Sequence, residues 1–242
     1  MDFQKEYDRL KAKGFPVGET LDFCTALGDS GEIGLHFEMY YAEYKNGRPK
    51  AHVEDSFRRH GFDGVKYLIV QLQSEHEDEE RAACAAYLLA ELLIRFRYPE
   101  HETIKSRLVD WLADKTSSGN EQVRRMCLIA LGWIGGEREV PLLCNCMLTD
   151  SDSLCRAWSA SAMLQMNGRV PAEALQRLAI EPLIRALETE TDVFACGVAI
   201  ETISDIWDKR LGLSGAAVER RDAEAVEKAR GRALRFLNKV KS

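Results

Sequence analysis

One stretch constrains the fold of this chain more than any other: NEQVRRMCLIALGWIGG at positions 120–136. It opens on a polar cap, continues through Val-Arg, places small residues at steps of three and closes on Leu-Gly. With Arg124 as register zero, Cys127 falls at +3 and Ala130 at +6. The same register recurs at Arg156, Ser159 and Ala162, and at Arg81, Cys84 and Tyr87. It recurs once more at Phe194, Gly197 and Ile200, with Phe194 in the arginine slot. The zero positions are 43, 32 and 38 residues apart, and periods of this size suit one helical pair per repeat.

Each unit has an apolar helical segment upstream: GVKYLIVQL, IKSRLVDWL, VPLLCNCML and IEPLIRAL. Small side chains at +3 let one helix lie close to the next, and the leucine-rich faces fill the space between. A single pair cannot bury such a face alone, so the pairs must stack. Pro141 is placed to start one upstream helix, and Pro182 falls inside another, where it predicts a kink.

VRxxCxxALGxIG at 123–135 and the P-L-L…DSDSLCR run at 141–156 resemble HEAT repeats, in the subclass first recognised in phycobilisome lyases. The resemblance covers residues 62–207. It implies an all-α fold, an α-solenoid of about four helical pairs whose turn Asp and helix Arg hydrogen-bond along the array. Carried onto this chain, Asp152 with Arg156, and Asn120 with Arg124, form that structural ladder. The expected organisation is a divergent helical N-terminal region over 1–60, the array over 61–207, and a loop with a basic capping helix over 208–242, all one continuous domain.

The ends differ from the middle. Within 218–240, Val226, Ala229, Ala233, Leu237 and Val240 make a helical stripe opposite six cations, as a helix capping the last repeat requires. Residues 2–13 and 51–60 read as helices, with Gly14, Pro16, Gly18, Gly28, Gly31 and Gly34 punctuating the span between. The run LHFEMYYAEYKNGRPKAHV is read as helix because everything downstream is helical, although Asn46-Gly47 is also a hairpin signal.

Charge narrows the partners. Of the net −6, residues 209–242 carry ten Lys/Arg against four Asp/Glu, so the first 208 residues hold −12. An acidic body repels nucleic acid and anionic membranes and favours a basic protein. No apolar run is long enough to cross a bilayer, and the N-terminus lacks the apolar stretch of a secretory signal. The seven cysteines sit mostly in apolar helical runs and read as reduced core residues. These features together predict a cytoplasmic protein.

Catalytic patterns fail on their partners. Gly28-Asp29-Ser30-Gly31 resembles the nucleophile loop of trypsin-like proteases, but those need His and Asp partners upstream, and here almost nothing precedes Ser30. His36-Phe37-Glu38 resembles the H-x-E of zinc deaminases, but Cys144 and Cys146 lack the required spacing. Asp150 and Asp152 begin like a calcium loop whose twelfth position is Ser161, not Glu. Neither a metal nor a cofactor is expected. The candidate partner-binding residues are Glu75, Glu77 and Asp78 in the SEHEDEE cluster, with Trp133 and Trp158 as aromatic anchors placed at a similar level of neighbouring helices. The functional expectation is a non-enzymatic protein-binding array, in its most specific form an immunity protein that neutralises a cognate toxin such as a basic nuclease. The alternatives are an alkyl-base DNA glycosylase built from such repeats, which the acidic body argues against, and a bilin lyase or chaperone-like factor, which the repeat subclass suggests.

Overall fold

The computed structural model describes residues 2–45, 53–73 and 78–241. Among them the chain is helical throughout, with a lone backbone bridge between Asn167 and Val170 in place of any strand. It divides into two compact units, residues 1–105 and 106–242. That division falls inside a helix, at neither 60/61 nor 207/208.

The first unit holds α1 (Phe3–Ala12), α2 (Val17–Gly28), α3 (Ile33–Lys45), α4 (Val53–Phe57), α5 (Gly61–Gln73) and α6 (Glu79–Arg95). Helix α2 forms in the span that the sequence shows as punctuated. Gly18 and Gly28 lie inside it, and Gly28 is there for space: a Cβ would sit 2.5 Å from the Ser56 carbonyl oxygen. Helix α3 covers the ambiguous aromatic run up to Lys45, while Asn46-Gly47 lies outside the described residues. Helix α6 is capped by Asp78, whose carboxylate accepts from the Arg81 amide. It is buried from Ala82 to Leu93 except at Tyr87, which settles why its sequence is apolar on nearly every side.

Helix α7 (His101–Lys115) leads into the second unit, which continues with α8 (Glu121–Ile134), α9 (Val140–Thr149), α10 (Ser153–Met166), α11 (Ala172–Thr189), α12 (Val193–Ile206), α13 (Gly215–Glu219) and α14 (Ala223–Lys241). The helices stack in two layers. Helix α10 packs between α8 and α12, and α11 packs between α9 and α14. Pro141 stands in the first turn of α9, and α11 runs on as one helix through Pro182. The four small residues Cys84, Cys127, Ser159 and Gly197 are all buried. Close approach follows from that: a Cβ on Gly132 would meet the Ala162 Cα at 2.8 Å, and one on Gly197 would meet Val218 at 2.9 Å. Val226, Ala229, Ala233 and Leu237 of α14 are buried as the stripe predicts, while Val240 at its end is exposed. No helix among the described residues is long and apolar enough to cross a membrane.

Candidate functional site

The helix starts of the second unit are built alike. Asn120, Asp152 and Asp192 each cap a helix by accepting from backbone N–H groups in its first turn, which satisfies donors that have no intrahelical partner. Two residues before each cap stands an acceptor. The Ser118 hydroxyl takes the Asn120 amide, Asp150 takes the Asp152 amide and Glu190 takes the Asp192 amide. Four residues after the cap, Arg124 and Arg156 reach back, donating at 2.9 Å to the carbonyls of Ser118 and Asp150.

The same guanidiniums reach forward to the next repeat. Arg124 forms two parallel hydrogen bonds to Asp150 at 2.8 Å, and Arg156 does so to Glu190 at 2.7 and 2.8 Å. Arg125 pairs in this way with Asp152 at 2.8 and 2.7 Å. Asn120, Arg124, Asp152 and Arg156 thus lie on a continuous polar line, but the pairing differs from the one the resemblance implies. Each of these arginines clasps a carboxylate of the following turn, and Asp152 takes Arg125 while also capping α10. The Arg124 and Asp150 side chains are only 11% and 6% exposed, so solvent screens the pair little. The Arg125 guanidinium holds the Asp152 carboxyl far below the usual carboxylate range. Burial pushes Asp150 and Glu190 up, but the hydrogen bonds from Arg124 and Arg156, the cap-turn amides and the guanidinium charges together outweigh it and leave both lowered.

Caps also correct the register at the two ends. Measured from Asp192, the position equivalent to Arg156 is Cys196, not Phe194. The missing guanidinium comes from α14: Arg230 donates to the Glu190 carbonyl at 3.0 Å and lies 3.2 Å from the Cys196 sulfur. In the first unit Arg81 stands three residues after its cap and points elsewhere, pairing with Glu38 at 2.6 Å and lying over the rings of Phe37 and Tyr41.

The candidate partner-binding residues fall in different places. Glu75 and Glu77 lie outside the described residues. Asp78 is exposed, caps α6 and accepts the Tyr41 hydroxyl at 2.9 Å. Trp133 and Trp158 are half-buried in the second unit. They are not level: Trp133 follows its cap by 13 residues and Trp158 by 6, which separates them by about 10 Å along the stacked helices. Trp158 instead meets Phe194 edge to face at 6.2 Å, and Arg221 lies 5.5 Å from the Phe194 ring.

Sequence reasoning did not single out the C-terminal end of α12. A cavity of about 600 Å³ opens there, and Leu164, Glu201, Asp205, Asp208, Lys209 and Arg210 are among the residues that line it. Asp205 accepts from Asn167 at 2.9 Å. Burial, and then Glu219, push the Glu201 carboxyl up, and among the described residues Glu201 forms no ion pair. Glu201 and Asp205 are one turn apart on α12, and Asp208 follows in the turn after it, at a φ of 43°.

A buried polar chain in the first unit was also missed. His36 Nδ1 lies 2.8 Å from His60 Nε2, and His36 Nε2 lies 3.0 Å from Ser56 Oγ. The residues are 20 to 24 positions apart, so spacing gave no sign of it. Serine, base and orienting histidine have the order of a nucleophilic relay. Catalysis needs access, however, and here His36 is fully buried and Ser56 is 8% exposed. All seven cysteines are buried and unbridged. Among the described residues no three His, Cys, Asp or Glu side chains come together as a metal site.

Comparisons with known proteins agree with the helical repeats. None of the curated proteins matches the chain. A solved structure described as the crystal structure of an engineered protein is 19% identical, over 99% of this chain and 97% of that one, with a TM-score of 0.48. Residues 65–164, from α5 into α10, match the family model described as HEAT repeats, so the chain carries HEAT-type repeats over that span.

Proposed function

We propose that this chain is a non-enzymatic scaffold that binds a basic protein, in its most specific form an immunity protein that neutralises a basic toxin. Helical repeats of this kind are interaction scaffolds, offering long contiguous faces rather than a single cleft. The observation that carries the reading is where the cations are. Arg124, Arg125 and Arg156 are locked in forked pairs inside the second unit, while the first 208 residues hold −12. What the array offers outward is therefore acidic, and an acidic face accelerates encounter with a basic partner.

The test uses the full chain as bait in its source cells, followed by association kinetics with the retained protein at rising ionic strength. The expected result is a partner rich in Lys and Arg whose association slows as salt rises. Salt-independent association with an acidic partner overturns the reading. So does excision of an alkylated base by the purified chain, which promotes the glycosylase.

A further inference from the structure

We propose that the His36–His60–Ser56 chain is a proton-operated clasp, shut while both imidazoles are neutral and opened by proton uptake at the pair, which frees α3 and α4 from each other on acidification. It is independent of the binding reading above.

With both imidazoles neutral, one arrangement of protons satisfies the chain. The backbone of Ser30, at the α2–α3 connection, favours a ring N–H on His60. With that N–H on Nδ1, His60 Nε2 is bare and accepts from His36 Nδ1–H. His36 Nε2 is then bare in turn and accepts the Ser56 hydroxyl. A neutral imidazole has one donor and one acceptor, so this is a consistent arrangement with every group satisfied. One added proton leaves the chain paired, with His60 donating to His36 Nδ1 and His36 Nε2–H to the Ser56 oxygen, but it sets a charge between rings packed on Phe57; a second proton brings two N–H groups face to face. Three segments depend on the chain: α3 through His36, α4 through Ser56, and the turn before α5 through His60.

The surroundings offer no compensating anion. Phe57 packs on both rings at 5.3 and 5.2 Å, and the His60 Cβ lies close against Gly64 of α5. The charged groups on neighbouring elements are engaged elsewhere. Asp29 at the end of α2 pairs with Arg59, Asp63 of α5 with Lys66, and Asp55 of α4 with Arg95, which also holds Glu91 of α6. Arg58 donates to the Asp55 carbonyl. On α3 itself Glu38 pairs with Arg81, and Glu43, also buried, lies two turns beyond His36. Burial, and then His60, push the His36 imidazole down to about 3, and burial lowers His60 as well. The sign follows from that direction. Groups lowered on folding bind more protons when open, so the closed state is favoured above about pH 6.5 and loses its advantage as pH falls below it.

Hydrogen exchange of the full chain between about pH 7.5 and 5, corrected for intrinsic rates, reads the clasp directly. The opening constant for amides of residues 33–45 and 55–60 should rise about tenfold per pH unit below 6.5 if one histidine takes up a proton, and about a hundredfold if both do. Ser56→Ala keeps the histidine pair and should keep the slope, while His36→Asn with His60→Asn should flatten it. Ring proton signals of His36 and His60 in the unaltered protein give a reading that needs no variant, and both should stay neutral while the amides are protected. Flat protection across the window, rings that titrate near 6.5 without opening, or an unchanged slope in a folded double variant each overturn the clasp. The last result points to His101, whose imidazole burial also lowers.

Discussion

Arg230 supplies from the last helix the guanidinium that Cys196 cannot: its Nε lies 3.2 Å from the Cys196 sulfur and its Nη2 donates to the Glu190 carbonyl at 3.0 Å. The Ser118 and Asp150 carbonyls receive the same bond from Arg124 and Arg156. Arg230→Ala should therefore destabilise the chain by about 1–3 kcal/mol, since it leaves a part-buried acceptor unpaired. Arg235→Ala, on the exposed side of α14, should stay within about 0.5 kcal/mol. Urea midpoints of the two variants decide it, and equal midpoints mean that the guanidinium contributes nothing there.

The forked pairs make the second unit sensitive to acid. Asp150, Asp152 and Glu190 are all lowered on folding. Their contribution is complete above the unfolded carboxylate range, near 4.5, and is lost as pH falls below it. Urea midpoints at pH 6 and pH 3.5 should differ, with less difference after Arg125→Met and Arg156→Met. Arg156→Ala alone should cost about 1–3 kcal/mol at neutral pH, because Glu190 and the Asp150 carbonyl lose their donor together.

Space, not charge, governs the contact between α8 and α10. Gly132→Ala should cost about 1–3 kcal/mol, because its Cβ would press on the Ala162 backbone and cannot be relieved by turning a side chain. Gly231→Ala, with only the end of the Arg235 side chain 3.6 Å away, should be neutral or slightly stabilising, since helical glycine costs about 1 kcal/mol relative to alanine. Thermal melts of the pair separate crowding from backbone freedom.

The thiols should be inert in the folded protein. Burial pushes both Cys144 and Cys155 up to about 12, with Asp150 adding to the effect at Cys155. The thiolate is the reactive form, so alkylation at pH 8 should track unfolding and run orders of magnitude slower than in urea. Rapid labelling of either residue at native pH contradicts the packing described.

Much of the array was legible because its determinants are local. A cap, an arginine four residues on and a small residue beyond it announce α8 and α10 within a dozen positions, and the stripe of α14 announces a cap for the stack. The arginines' partners were not legible, since Asp150 and Glu190 belong to the next repeat and the capping residues were nearer in sequence. Alignment on a small residue at +3 puts Phe194 in the arginine slot, whereas the cap at Asp192 shows that Cys196 occupies it. The missing charge was replaced from 34 residues away, and no periodicity can show that. Of the candidate surface, the acids of α12 were readable as a helix face. The His36–His60–Ser56 chain joins three elements through groups with no common spacing, so only the packed structure could reveal it.

Arg124 and Arg156 each hold the turn of their own repeat with one hand and the next repeat with the other, and Arg230 closes the sequence from outside. A repeat spliced in between Asp150 and Glu190 would bring its own acceptor, cap and arginine, and would find both neighbours already fitted to receive it. Length in this family of shapes is then a free variable. Helix α14 closes the stack against α11 and α12, and its Arg230 answers the last turn alone.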